Sequence, residues 1–150
     1  MLKQLIFFNL IAVCSATSAN QEHPVLQDYC GYVSRSEVEA ALGHTLTETP
    51  KEINEEYLGG KGCSYFAGKD KNGVVFFGYV VIPDKATFDK NKPGSLVVSG
   101  VGDEAFQFNG PDAQQLWVRK GNHYVMVAIG DEPNPEGSRA LAILVLSRLK

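Results

Sequence analysis

The stretches Cys63-Ser64-Tyr65-Phe66-Ala67 and Val74-Val75-Phe76-Phe77-Gly78-Tyr79-Val80-Val81-Ile82, separated by Gly68 to Gly73, decide the fold class. Both are rich in β-branched and aromatic residues, which suit a pleated surface. Asn72 and Gly73 tolerate positive φ, so the two runs predict a hairpin. The second run is apolar at nearly every position, which requires it to lie centrally in a sheet or be covered on both faces. A second hairpin is predicted downstream, from Gln115 to Arg119 and from His123 to Ile129 across Lys120, Gly121 and Asn122. Between them, Leu96 to Val98 reads as a short strand, and Phe106 and Phe108 alternate with Gln107 in a strand running from the Gly100 bend. The turn after it is Asn109-Gly110-Pro111-Asp112.

Helices flank these strands. Ser34 and Glu37 form a capping box, Val33 staples onto Val38, and Gly43 ends the turn after Val38, Ala41 and Leu42. Pro83 and Asp84 open a short helix, Lys85 to Lys90, with Ala86 and Phe88 inward. Ser138 to Leu149 is apolar around most of its circumference, which predicts a helix packed closely on the sheet. The acidic stretch from His44 to Lys61 has no sustained period and reads as a loop without calcium-loop spacing. The expected architecture is one α+β domain over residues 20–150, a mainly antiparallel sheet of about five strands with its helices on one face.

The composition suits that reading. The 150 residues are 44% apolar and 21% charged, with fifteen glycines and seven prolines in no repeat. Such a chain builds one turn-rich core and is neither disordered nor collagen-like. A net charge of −3 leaves no basic footprint for a nucleic acid partner.

The first residues carry an address. Lys3 precedes an apolar run from Leu5 to Cys14, broken only by Asn9, and the small residues Thr17 and Ala19 follow. This is the pattern of a signal peptide, residues 1–19, cleaved after Ala19. The alternatives are a retained anchor or a buried helix, against which stands a run of about ten residues where a membrane span needs about twenty. Within the same segment Ile11-Ala12-Val13-Cys14 is similar to a lipoprotein box, which would place a lipid anchor at Cys14. Val13 departs from the small residue that such a box carries before its cysteine. The C-terminal helix is too short to span a bilayer, so no transmembrane segment is expected in the mature chain.

Export leaves two cysteines, Cys30 and Cys63, which should pair in an oxidising compartment. Their spacing matches neither a C-x-x-C redox pair nor a zinc finger, and the sequence implies no metal and no cofactor.

Candidate chemistry is sparse. Gly100 and Gly102 form G-x-G, but a strand follows where a dinucleotide fold needs a helix, so the segment reads as a tight bend. Asp103 and Glu104 are adjacent carboxylates that a strand would send to opposite faces. His44 and His123 lack metal-binding spacing, and no G-x-S-x-G elbow occurs. Trp117 alternates with Leu116 and Val118 beside Arg119, with Tyr124 across the hairpin. Facing outward, these aromatics beside an arginine would form a binding surface; under a helix, they would be core.

Cys30, V-E-A-A-L-G from Val38 to Gly43, Cys63-Ser64-Tyr65, V-S-G-V-G-D-E-A-F from Val98 to Phe106 and L-W-V-R-K-G from Leu116 to Gly121 complete a pattern. It resembles the small exported, often lipid-anchored bacterial envelope domains abundant in actinobacteria. The resemblance implies a disulfide between Cys30 and Cys63 and a turn at Gly100 to Asp103, and it implies no catalytic residue. The expected function is a non-enzymatic domain, secreted or periplasmic, that binds an envelope protein or small ligand. The alternatives are an inhibitor or immunity protein using the loop Gly100 to Glu104 against an envelope-degrading hydrolase, and a small hydrolase or metal-dependent enzyme around His123 and Asp103.

Overall fold

The computed structural model describes residues 28–69, 74–111, 113–130 and 133–150, with the backbone alone for 69, 74 and 75. The signal segment, Cys14, the hairpin turn at Asn72 and Gly73, and Asp112 lie outside them. The chain enters through a 3-10 turn, Tyr29–Tyr32, whose N–H groups at Cys30 and Gly31 donate to the Asp28 carboxylate. Helix α1, Arg35–Leu42, follows. Its capping box forms as the residues require: the Glu37 N–H donates to Ser34 Oγ, the Ser34 N–H donates to the Glu37 carboxylate, and Gly43 closes the helix at φ 72°.

Seven strands then build one sheet: β1, Lys51–Glu55; β2, Gly60–Lys69; β3, Val74–Ile82; β4, Leu96–Val98; β5, Glu104–Asn109; β6, Ala113–Lys120; and β7, His123–Gly130. Helix α2, Lys85–Lys90, lies between β3 and β4, and α3, Pro135–Arg148, closes the chain. Strand order is β1-β2-β3-β7-β6-β5-β4, and every neighbouring pair is antiparallel. Two meanders therefore meet where β3 pairs with β7. Because β4 sits at the far edge, the chain leaving β3 must cross the sheet to begin the second meander. Helix α2 makes that crossing.

Alternation along each strand sends side chains to two faces. The inner face carries Cys63, Tyr65, Phe77, Tyr79, Val125, Val127, Leu116, Val118 and Ala105, all buried under α1 and α3. Leu141, Ala142 and Val145 of α3 have no exposed surface there. Burying one such Leu or Val side chain contributes roughly 1.5–3 kcal/mol, so this layer is the main core. The outer face carries Val80, Ile82, Phe106, Trp117 and Tyr124, capped by Phe88 of α2 and Leu58.

The fold class stands as expected from the sequence, one antiparallel sheet with helices, but three expectations change. The sheet has seven strands, not about five. The acidic stretch read as a loop contains β1, because Lys51 to Glu55 pairs with Ser64 to Gly60 despite its charges. The helices do not share one face: α1 and α3 pack inward, while α2 packs outward through Phe88. The elements also run longer at their ends. Helix α3 starts at Pro135, its Asn134 side chain accepting from the Gly137 N–H, and β2 extends through a bulge at Gly68, φ 103°.

The disulfide forms as expected, between Cys30 and Cys63, with Cα atoms 5.0 Å apart. It fastens the 3-10 turn onto β2. The Tyr65 hydroxyl donates to the Val33 carbonyl at 2.7 Å, and the Tyr79 hydroxyl donates to the Tyr29 carbonyl. Such a bond fits a protein of the cell exterior or the periplasm. Among the described residues no helix is long and apolar enough to cross a membrane.

Candidate functional site

Strand register places four of the five candidate binding residues on one face. Glu104 pairs with Arg119, Arg119 pairs with Tyr124, and Trp117 stands one row away opposite Phe106. All point outward, toward α2, where Trp117 and Tyr124 are covered, as the alternative of a core under a helix expects. Trp117 is only 3% exposed, and Tyr124 is also buried. Phe88 explains this: its ring stands 5.0 Å from that of Phe106, 5.3 Å from Tyr124 and 6.4 Å from Trp117. Trp117 stacks on Phe106 and donates its ring N–H to Gln115. These aromatics are the second core, under the short helix expected from Lys85 to Lys90, whose Phe88 is buried as expected while Ala86 stays exposed. What remains of the Trp117 edge faces an open cleft of about 190 Å³ with Tyr57, Leu58 and Asn91.

The charged candidates edge that cluster. Arg119 lies 3.5 Å from the Asp103 carboxylate and 3.3 Å from that of Glu104. Lys92, just past α2, reaches Glu104 and Asp89 at 2.5 Å each, and Lys85 also pairs with Asp89. The chain of alternating charges ties α2 to β5 and β6. Lys92 beside Glu104 holds its carboxyl below the usual range, and Lys85 and Lys92 do the same to Asp89. Sequence reading missed Lys92 and Asp89 as members, although Lys85 and Asp89 stand at the i,i+4 spacing that favours pairing.

Asp103 has a further role. Its N–H donates to the Arg119 carbonyl at 2.8 Å, and its carboxylate accepts from the Gly121 N–H at 2.7 Å. The bend Gly100 to Asp103 is thereby fastened to the β6–β7 hairpin, with Val101 buried beneath it. Gly102 is required twice over: its φ is 62°, and a Cβ there would stand 2.4 Å from the Arg119 carbonyl oxygen. On the other side Arg139 of α3 donates to the Ser99 carbonyl at 3.1 Å. Between bend and helix lies a cleft of about 230 Å³ lined by Gly100 to Asp103, Lys120, Ile143 and Leu146. Ile143 is 49% exposed, unusual for its size. Nothing in the sequence set it apart from the other apolar residues of α3.

A third open cleft, about 280 Å³, lies between Glu48, Thr49, Lys51 and the outer-face residues Ser64, Phe66 and Phe76. Among the described residues no group of three His, Cys, Asp or Glu side chains could hold a metal ion. His44 is exposed just past α1, and His123 is half-buried at the start of β7.

No protein-family model matches the chain, and no curated protein or solved structure was found to be similar to it.

Proposed function

We propose that this is an exported, non-enzymatic domain that binds a partner protein of the cell envelope through the cleft between the bend Gly100 to Asp103 and helix α3. The observation that carries the reading is the combination of a braced, exposed bend with a half-exposed isoleucine beside it. Backbone bonds at Asp103, the close approach of Gly102 to β6 and the Arg139 contact hold the bend before any partner arrives. A loop already in its bound shape loses little entropy on docking. Ile143 supplies an apolar anchor, with Lys120 and the exposed Asp103 as a polar rim.

Export, whether with a cleaved leader or a lipid at Cys14, rests on the N-terminal pattern and is supported by the disulfide. The same braced bend favours a second reading, an inhibitor or immunity protein that inserts Gly100 to Glu104 into an envelope-degrading hydrolase.

A photo-crosslinking residue at position 143, compared with one at the distant exposed position 57, tests the proposal in the native envelope. The expected result is a specific adduct from position 143 only. Adducts from neither position, or the same adducts from both, would count against it. Identification of the captured protein as a hydrolase would decide for the second reading.

A further inference from the structure

The two edges of the sheet differ in kind. Edge strand β1 is charged: Lys51, Glu52 and Glu55 lie on it and Glu56 follows. Charges on an edge discourage another chain from adding a strand. Edge strand β4 is Leu96-Val97-Val98, and no charged residue occurs from Pro93 to Gly102. Val97 is 91% exposed and Leu96 58% exposed. With Ile143 and Tyr57, they are the large apolar side chains that stand out in solvent among the described residues.

Val97 also ends a row. Across the outer face Val80, Met126, Trp117 and Phe106 stand side by side in register, each paired with the next, and Val97 pairs with Phe106. The first four are buried or half-buried, and the row stops in water. At the strand ends the flanks are Gly94, where an added Cβ would meet nothing within 4 Å, and Gly100, where it would meet only the tip of Arg139. At the Gly100 end the Arg139 guanidinium is engaged with the Ser99 carbonyl at 3.1 Å.

We propose that β4 pairs antiparallel with β4 of a second copy of this chain. The occupant follows from the chemistry of the edge. A short strand without charge has nothing to select a charged partner, and it is complementary to itself: with Val97 opposite its mate, Leu96 lies opposite Val98 and the apolar row continues through Val97 into Phe106 of the second copy. Contacts of this self-matching kind give the two-fold dimers that dominate homo-oligomers. The two-fold axis is perpendicular to the sheet, so the dimer joins two seven-stranded sheets with both inner faces on one side. Both Ile143 clefts then face the same way. Three residues from each edge bury little area, so the dimer is weak and concentration-dependent.

Sedimentation of the oxidised mature domain from about 10 to about 500 µM tests this, a range that brackets a weak association. The expected result is a rise from monomer toward dimer, abolished by Val97→Lys with an unchanged circular dichroism spectrum and melting temperature. As a second measurement, Val97→Cys should form an intermolecular disulfide under mild oxidation far faster than Tyr57→Cys, a similarly exposed position outside the edge. A monomer throughout that range would overturn the proposal, as would a dimer that persists in a folded Val97→Lys variant. Equal crosslinking at the two positions would also overturn it. Because the readout is oligomeric state, a failure here leaves the crosslinking at Ile143 as a separate result.

Discussion

On the inner face of the sheet, helices of eight and fourteen residues lie over the strands, and the chain entry is fastened by a disulfide, two tyrosine hydroxyls and Arg148, which donates to the Tyr32 carbonyl. On the outer face a helix of six residues is held by one phenylalanine ring and a chain of ion pairs. The inner layer spreads its stability over many contacts and a covalent bond. The outer layer concentrates it in one side chain. Exposed ion pairs contribute little individually, so the strap depends on the ring.

The most severe way to break this contrast is Phe88→Ala. Removal of a fully buried ring typically costs about 3–5 kcal/mol, and here it also leaves Trp117, Phe106 and Tyr124 without their cover. Urea unfolding should show the loss, and hydrogen exchange should rise in α2 and the adjoining β4 well before α3. Uniform exchange across both faces would mean that the strap and the main core open as one unit.

Next in size is the double substitution of Cys30→Ser and Cys63→Ser. The bond closes a loop of 33 residues, worth about 3–4 kcal/mol in the chain-entropy account. The melting temperature should fall, and reductant should lower that of the native domain but not of the variant.

Tyr65→Phe is smaller, about 1–2 kcal/mol, because it leaves the buried Val33 carbonyl without its donor. Burial pushes the Tyr65 phenol up to about 12, from an unfolded value near 10. A raised value means that the folded state keeps its proton longer. Stability is therefore complete below about pH 10 and lost as pH rises toward about 12, and the variant should show a shallower alkaline decline.

The smallest effect belongs to Glu37, where α1 and α3 meet. Arg148 bonds to it at 2.6 and 2.9 Å, and together with the Ser34 N–H and hydroxyl it holds the carboxyl down to about 2. A lowered value contributes stability above the unfolded value of about 4.3, lost as pH falls toward about 2. Glu37→Gln should cost about 1 kcal/mol at pH 7 and less at pH 3, read from urea midpoints.

The inner face was far more legible in the sequence than the outer. Ser34, Glu37 and Gly43 announce α1 because capping is local chemistry, and two hairpins follow from alternation and turn residues. Strand β1 was hidden because Lys-Glu-Ile-Asn-Glu has neither the composition nor the period of a strand; its pairing is imposed by β2, and its charges suit an edge. The side taken by α2 was hidden for a different reason. Six residues carry no usable period, and its position depends on β4 lying at the far edge, which is a property of the whole topology. Of the candidate site, Asp103 and Glu104 were legible as adjacent carboxylates and Arg119 as the neighbour of Trp117, but that the three meet depends on the pairing of β5 with β6. Trp117 and Tyr124 share their face but are covered by Phe88, and Ile143 was one apolar residue among many on α3.

The meeting of the two meanders also sets a schedule. Phe77 on β3 pairs with Ile129 on β7, so one side of β3 stays open until the four later strands have been made. Pairings this distant along the chain slow assembly and leave a sticky edge waiting in the meantime. Of the partners of β3, only β2 is at hand early, and the strand most apolar in composition must be guarded longest by whatever receives the emerging chain.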